Sequence, residues 1–153
     1  MISFLQKLWT AFCVGFVVIR IRLLLRLKTL PQVLDQLSPL SLPAHPDEAA
    51  MRQFVGYVDR WLQLFPYNRE GNCFPRSLAL YRFARELGYP VVFHCGVRRN
   101  ASAIHGHAWL TLGPDAFYER GTQWQHFTVT FSYSPHPARD LNQTSPCDYS
   151  ASG

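Results

Sequence analysis

The stretch GNCFPRSLALYRFARELG, Gly71 to Gly88, sets a single cysteine where a helix would begin. Asn72 is a capping residue type, and Gly88 followed by Pro90 is a stop signal. Pro75 fits a first turn, where its missing amide proton breaks no internal helical bond. Cys73 then lies among unpaired amide donors at the positive end of the helix dipole. Both favour the thiolate over a thiol whose ordinary pKa is about 8.5. A thiolate nucleophile still needs a base. His107, which opens a strand within GHAW, is the strongest candidate if its side chain faces the start of the cysteine helix. The same residues fit a plainer reading, a buried small hydrophobe and a histidine that hydrogen-bonds within its sheet.

Two further chemistries share these positions. Acyl transfer to an amine uses nearly the same constellation as hydrolysis. Zinc binding by Cys73, His94, Cys95, His105 and His107 employs suitable side chains, although no paired-ligand spacing marks them as a metal site.

The elements that must position these residues follow from periodicity. From Asp47 to Phe65, the positions Met51, Phe54, Val55, Val58, Trp61, Leu62 and Phe65 trace one helical face. Asp47 and Glu48 suit the positive end of that helix. Pro66 to Gly71 reads as a turn, and the cysteine helix follows with Leu80, Phe83, Ala84 and Leu87 inward and Arg82 and Arg85 exposed. PVVFHCGV predicts a strand, Asn100 to Ala103 a turn, and HAWLTL a second strand. WQHFTVTFSY predicts a third, alternating Phe127, Val129, Phe131 and Tyr133 against His126, Thr128, Thr130 and Ser132. Helices first and strands afterwards predict an α+β fold, with the cysteine helix packed on an antiparallel sheet.

A chain of 153 residues, 48% hydrophobic and 14% aromatic, has room for one core of moderate size. Its net charge of +5 is unevenly placed: Lys7, Arg20, Arg22, Arg26 and Lys28 all precede the first acid, Asp35. The remainder is nearly neutral, which argues against a nucleic-acid surface covering the domain. The four cysteines, Cys13, Cys73, Cys95 and Cys147, are dispersed and form no disulfide framework pattern, so a reducing, cytoplasmic setting is expected.

The basic residues belong to a hydrophobic amino-terminal arm whose uncharged run extends from Leu8 to Ile19. That run is short for a membrane span, and Arg20, Arg22 and Arg26 interrupt the place where a signal peptide would be cleaved. The arm reads as an amphipathic helix, either packed across the main domain or applied peripherally to a membrane surface or a partner, with a true membrane span as the third alternative. The organisation expected is a helical arm over 1–36, a Pro- and Ser-rich linker over 37–46, the main domain over 47–135 and a poorly ordered tail over 136–153.

The block NCFPRSLALYRFARELGYPVVFHCGVRR, followed by GHAWL, resembles the transglutaminase-like cysteine peptidases that remove the leader from lasso-peptide precursors. The resemblance runs from about Trp61 to Tyr133, departs at Phe74 and Pro75 where two aliphatic residues are usual, and extends to the hydrophobic basic arm. It implies a transglutaminase/papain-like core with Cys73 as nucleophile and His107 as base. It also implies an acidic residue about a dozen positions beyond the histidine, which is Glu119 here, with Asp115 as the competing assignment. No metal or organic cofactor is implied. The partners it implies are the precursor peptide, a separate leader-recognition protein and an ATP-dependent lasso cyclase. A precursor-binding adaptor that keeps the fold without cleaving is the non-enzymatic alternative.

Overall fold

Cys73 opens the most enclosed of the described helices. In a computed structural model, which describes residues 4–39, 45–65, 71–100, 103–119 and 121–134, that helix is α4, Cys73–Glu86. It follows α1 (Phe4–Leu27), α2 (Leu30–Leu37) and α3 (Glu48–Gln63). After it come β1 (Val92–Asn100), β2 (Ala103–Leu112), β3 (Asp115–Ala116) and β4 (Thr128–Tyr133). The strands form one antiparallel sheet in the order β3-β2-β1-β4, so the fold is α+β with four helices ahead of a four-stranded sheet.

The helix α4 lies between the other helices and the sheet, touching α1, α2 and α3 on one side and β1 and β2 on the other. It therefore has almost no free face. Leu78, Ala79, Leu80, Tyr81 and Ala84 are all essentially inaccessible. Arg85, expected outside, is buried for the same reason, while Arg82 reaches the surface far enough to pair with Glu86 at 2.7 Å. The expected stop holds: Gly88 adopts a left-handed φ of 87°, and Tyr89 N–H bonds back to the Ala84 carbonyl at 2.9 Å.

Asp47 caps α3, its carboxylate accepting from Ala50 N–H at 2.9 Å, and Met51, Val58 and Leu62 form the buried stripe. The basic arm comprises two helices. Thr29 breaks them apart, its N–H donating to Gln32 Oε1 at 3.1 Å, and Pro31 occupies the first turn of α2 where its ring is tolerated. Val14, Val18 and Ile21 of α1 and Val33 and Leu34 of α2 are fully buried in the same core as α4. Burying such side chains stabilises by about 1.5–3 kcal/mol each. Trp61 of α3 fixes α1 further by donating its indole N–H to the Ala11 carbonyl at 2.6 Å.

The arm departs from an amphipathic helix in one respect. Only a narrow stripe of α1 faces the core, and large apolar side chains also cover its outer side, where Trp9, Phe12 and Phe16 are exposed. Arg20 and Arg26 are too few to make that side polar, and Arg22 turns inward to Asn72. The middle of the linker (40–44), the turn residues 66–70 and the tail with Cys147 lie outside the described residues.

In the sheet, β2 begins at Ala103, earlier than the HAWLTL run, and pairs along β1 with Gly96 opposite His107 and His94 opposite Trp109. Phe93, Ala108 and Leu110 are buried in the core that α4 shares. The third predicted strand is shorter than expected: Gln123–His126 forms a 3-10 turn, and β4 starts at Thr128. The even alternation is also broken. A register shift between Cys95 and Gly96 pairs these with Phe131 and Val129, so Phe131 and Tyr133 pack on the core while Val129 is exposed. At Gly96 the Thr128 carbonyl comes so close that a Cβ there would lie 2.5 Å from its oxygen.

Candidate functional site

The hairpin β2–β3 is what brings the site together. Its ladder pairs Leu112 with Asp115 and Thr111 with Ala116, and Phe117 N–H still bonds to the Leu110 carbonyl at 2.8 Å. Continued regularly, the next partner of Ala108 would be Glu119. Tyr118 prevents this, because its φ of 51° turns the chain off the ladder. Two consequences follow. The edge of β2 at Ala108 is left for α4, and Glu119 swings beside His107.

The helix α4 uses that open edge. Ser77 Oγ donates to the buried Ala108 carbonyl at 2.8 Å, and a backbone hydrogen bond at Ala108 reaches the Cys73 sulfur. The first turn of α4 is thereby docked on the strand that carries the histidine. His107 hydrogen-bonds to Cys73 and, through Nε2, to Glu119 Oε1 at 3.1 Å. A ring whose Nε2 is engaged by a carboxylate has Nδ1 left for the thiol. Asp115 stands exposed on β3 and does not line this cleft.

The electrostatics follow from these contacts. Burial alone raises the Cys73 pKa. The hydrogen bond from His107, backbone hydrogen bonds at Ala108 and Phe74 and the histidine's charge outweigh that effect, and the net shift is downward. His107 is pushed up to about 9, first by its hydrogen bond to Cys73 and then by its hydrogen bond to Glu119, against burial. The two shifts favour the same state, a thiolate beside an imidazolium.

Asn72 occupies the cap position of α4 but does not cap it: its side chain makes no bond to the helix amides. Arg22 of α1 takes its Oδ1 at 2.6 Å, and its amide group donates to the Leu62 carbonyl at 3.4 Å. The Arg22 guanidinium also lies 4.3 Å from the centre of the Phe65 ring. Holding Asn72 away from the helix leaves first-turn amides free for negative charge at the cysteine.

Sequence reasoning missed a second group behind the site. Arg76, one turn after Cys73, donates from Nε to Asp59 at 2.7 Å and from an Nη to the Tyr118 carbonyl at 3.1 Å. Another Nη lies 3.9 Å from Glu119 Oε2. Arg76 thus ties α3, the irregular Tyr118 and the Glu119 carboxylate together. Its spacing of three from Cys73 was the available signal, since such residues share a helix face.

The resulting cleft, about 230 Å³, is lined by Cys73, His107, Glu119, Arg76, Asp59 and Asn72, among others. The residues considered for zinc do not converge there. His94 bonds to Ser132 at 2.7 Å and Thr111 at 3.0 Å, Cys95 contacts Thr130, and His105 is exposed. Among the described residues, no group of three or more His, Cys, Asp or Glu is placed to hold a metal ion.

A family model described as the transglutaminase-like superfamily matches residues 13–132. The chain belongs to the transglutaminase-like superfamily. The match covers most of the chain, from within α1 to within β4, so the hydrophobic arm is largely part of it. Four helices ahead of an antiparallel sheet agree with a transglutaminase-like core, and membership is compatible with cysteine-dependent chemistry. No curated protein and no solved structure matches the chain.

Proposed function

We propose that this member of the transglutaminase-like superfamily is a cysteine peptidase that hydrolyses the leader–core bond of a lasso-peptide precursor. The observation that carries the reading is His107 held between the Cys73 thiol and the Glu119 carboxylate in one cleft. The substrate class rests on the resemblance of the NCFPRSLALYR and HAW blocks to lasso leader peptidases.

The Cys73 thiolate attacks the scissile carbonyl carbon, forming a C–S bond and a tetrahedral oxyanion. Free amides at the α4 start, including that of Cys73, stabilise the oxygen. As the intermediate collapses, the C–N bond breaks and the His107 imidazolium gives its proton to the departing core amine, leaving an acyl-enzyme thioester. Neutral His107 then takes a proton from water, whose oxygen attacks the thioester. Collapse returns the thiolate and the imidazolium and releases the leader with a carboxyl end. Glu119 keeps the ring oriented and stabilises its charge throughout.

A separate recognition protein presents the leader, and an ATP-dependent cyclase uses the newly freed amine. The reaction belongs in the reducing cytoplasm, where Cys73 stays reduced.

The test is to incubate the purified protein with its linked precursor and the neighbouring recognition protein, and to read products by mass spectrometry. Leader carrying a new carboxyl end, lost in folded Cys73→Ala and His107→Ala, supports hydrolysis. Leader joined to an amine would assign acyl transfer instead. Cleavage undiminished in folded Cys73→Ala would overturn the nucleophile. Precursor bound but never cleaved would assign the adaptor.

A further inference from the structure

The large apolar side chains that the fold leaves exposed are concentrated on one surface, the outer side of α1. Leu5, Trp9, Phe12, Phe16, Ile19 and Leu23 recur at alternating spacings of four and three, the register of a single straight stripe along a helix. Trp9 is 69% exposed, Phe12 65% and Phe16 62%, values that leave most of each aromatic side chain in solvent. A contiguous patch of this kind marks an interaction surface.

Charge selects the occupant. Arg20 and Arg26 are exposed and flank the stripe on opposite sides, and no acidic residue occurs before Asp35. A second copy of the helix would bring like charges together with no carboxylate to meet them. An acidic surface with an apolar interior is complementary in both respects.

The inner side of the helix decides the orientation. The mean hydropathy of 2.0 over an 18-residue window would permit a membrane span. Spanning, however, would tear Val14, Val18 and Ile21 from the core, Trp61 from the Ala11 carbonyl and Arg22 from Asn72. A helix fixed to its domain along one side presents only the other side and lies in the plane of the interface.

We propose that α1 docks the protein peripherally on an anionic lipid bilayer, with Phe12 and Phe16 among the acyl chains and Arg20 and Arg26 at acidic headgroups. This reading is independent of the reaction assigned to the cleft. It also means that the helix holding Asn72, next to Cys73, is the one that touches the membrane.

The experiment is co-sedimentation of the full chain with vesicles of neutral phosphatidylcholine or of phosphatidylcholine with phosphatidylglycerol, with helical content followed by circular dichroism. Binding to the anionic vesicles should exceed binding to neutral ones by about tenfold, weaken with salt, and fall by a similar factor in Arg20→Gln/Arg26→Gln. Phe12→Gln/Phe16→Gln, exposed and therefore compatible with the fold, should abolish it. Equal binding to both vesicle types, or binding unchanged in the Phe pair, would overturn the proposal. So would a dimer in lipid-free solution that the Phe pair dissolves without any vesicle binding. Retention on membranes after alkaline carbonate washing would overturn the in-plane orientation.

Discussion

Nε2 of His107 lies 3.1 Å from Glu119 Oε1, whereas Asp115, the other acid considered, is exposed on β3. Glu119→Gln should lower kcat/KM for precursor cleavage by about a hundredfold, since the amide neither stabilises the imidazolium nor fixes the ring as well. Asp115→Asn should leave it within about twofold. Steady-state kinetics on the two variants separates them, and the reverse ranking would reassign the acid.

The raised His107 pKa carries a sign. Its folded value, about 9, exceeds the ordinary 6.5, so its contribution to stability is fully present below 6.5 and is lost as pH rises through about 9. Removing Glu119 lowers the folded value. Glu119→Gln should therefore lower the melting temperature more at acidic pH than above pH about 10, and should move the alkaline limb of kcat/KM to lower pH. Thermal melts and a pH–rate profile check this, and an alkaline limb that stays in place would dissociate it from His107.

Ser77 Oγ is the buried donor to the Ala108 carbonyl. Ser77→Ala leaves that carbonyl without its partner at the joint between the nucleophile helix and the histidine strand. A loss of about 1–3 kcal/mol is expected in urea unfolding. A change within about 0.5 kcal/mol would mean that water or a rearranged β2 edge replaces the bond.

Arg22 reaches Asn72 across 50 positions of sequence. Arg22→Met keeps an apolar stem beside Phe65 but releases Asn72, which becomes free to cap α4. Alkylation of Cys73 at neutral pH should slow by about three- to tenfold as the cap competes for first-turn amides. Asn72→Ala in the same background should restore part of the rate. An unchanged rate in Arg22→Met would confine Arg22 to packing.

At Gly96 the near oxygen is backbone, so Gly96→Ala must displace β4 or the Trp109 ring, whose Cη2 lies 3.1 Å from the Cβ position. A cost of about 1–3 kcal/mol with a shift in tryptophan emission is expected. Gly106→Ala, where a Cβ meets nothing within 4 Å, serves as the control and should be silent.

What could be read from the sequence was what is periodic or local. The apolar stripe of α3 repeats over several turns, and the acidic start of α3 and the cysteine at a helix start are local signals. β3 has two residues, too few to alternate. In Trp124–His126 the same apolar and polar order serves a 3-10 turn as well as a strand. Arg85 was misplaced because helical periodicity assumes one buried face, and α4 is covered on nearly all sides. The Arg22–Asn72 pair joins elements distant in the chain and the Arg76–Asp59 pair joins consecutive helices, and neither pairing leaves a trace in local spacing. The exit of Tyr118 from the ladder, which delivers Glu119, depends on a single dihedral angle.

The thiolate–imidazolium pair of Cys73 and His107 can be tested without the substrate. The measurement is the rate of iodoacetamide labelling at each cysteine as a function of pH, resolved by peptide mass spectrometry. Cys95, whose pKa burial raises, serves as the internal reference. Cys73 should label rapidly at a lower pH than Cys95, below an ordinary thiol's range, and His107→Ala should move its titration upward. A Cys73 that titrates together with Cys95, unaffected by His107→Ala, would mean that the two residues form no such pair.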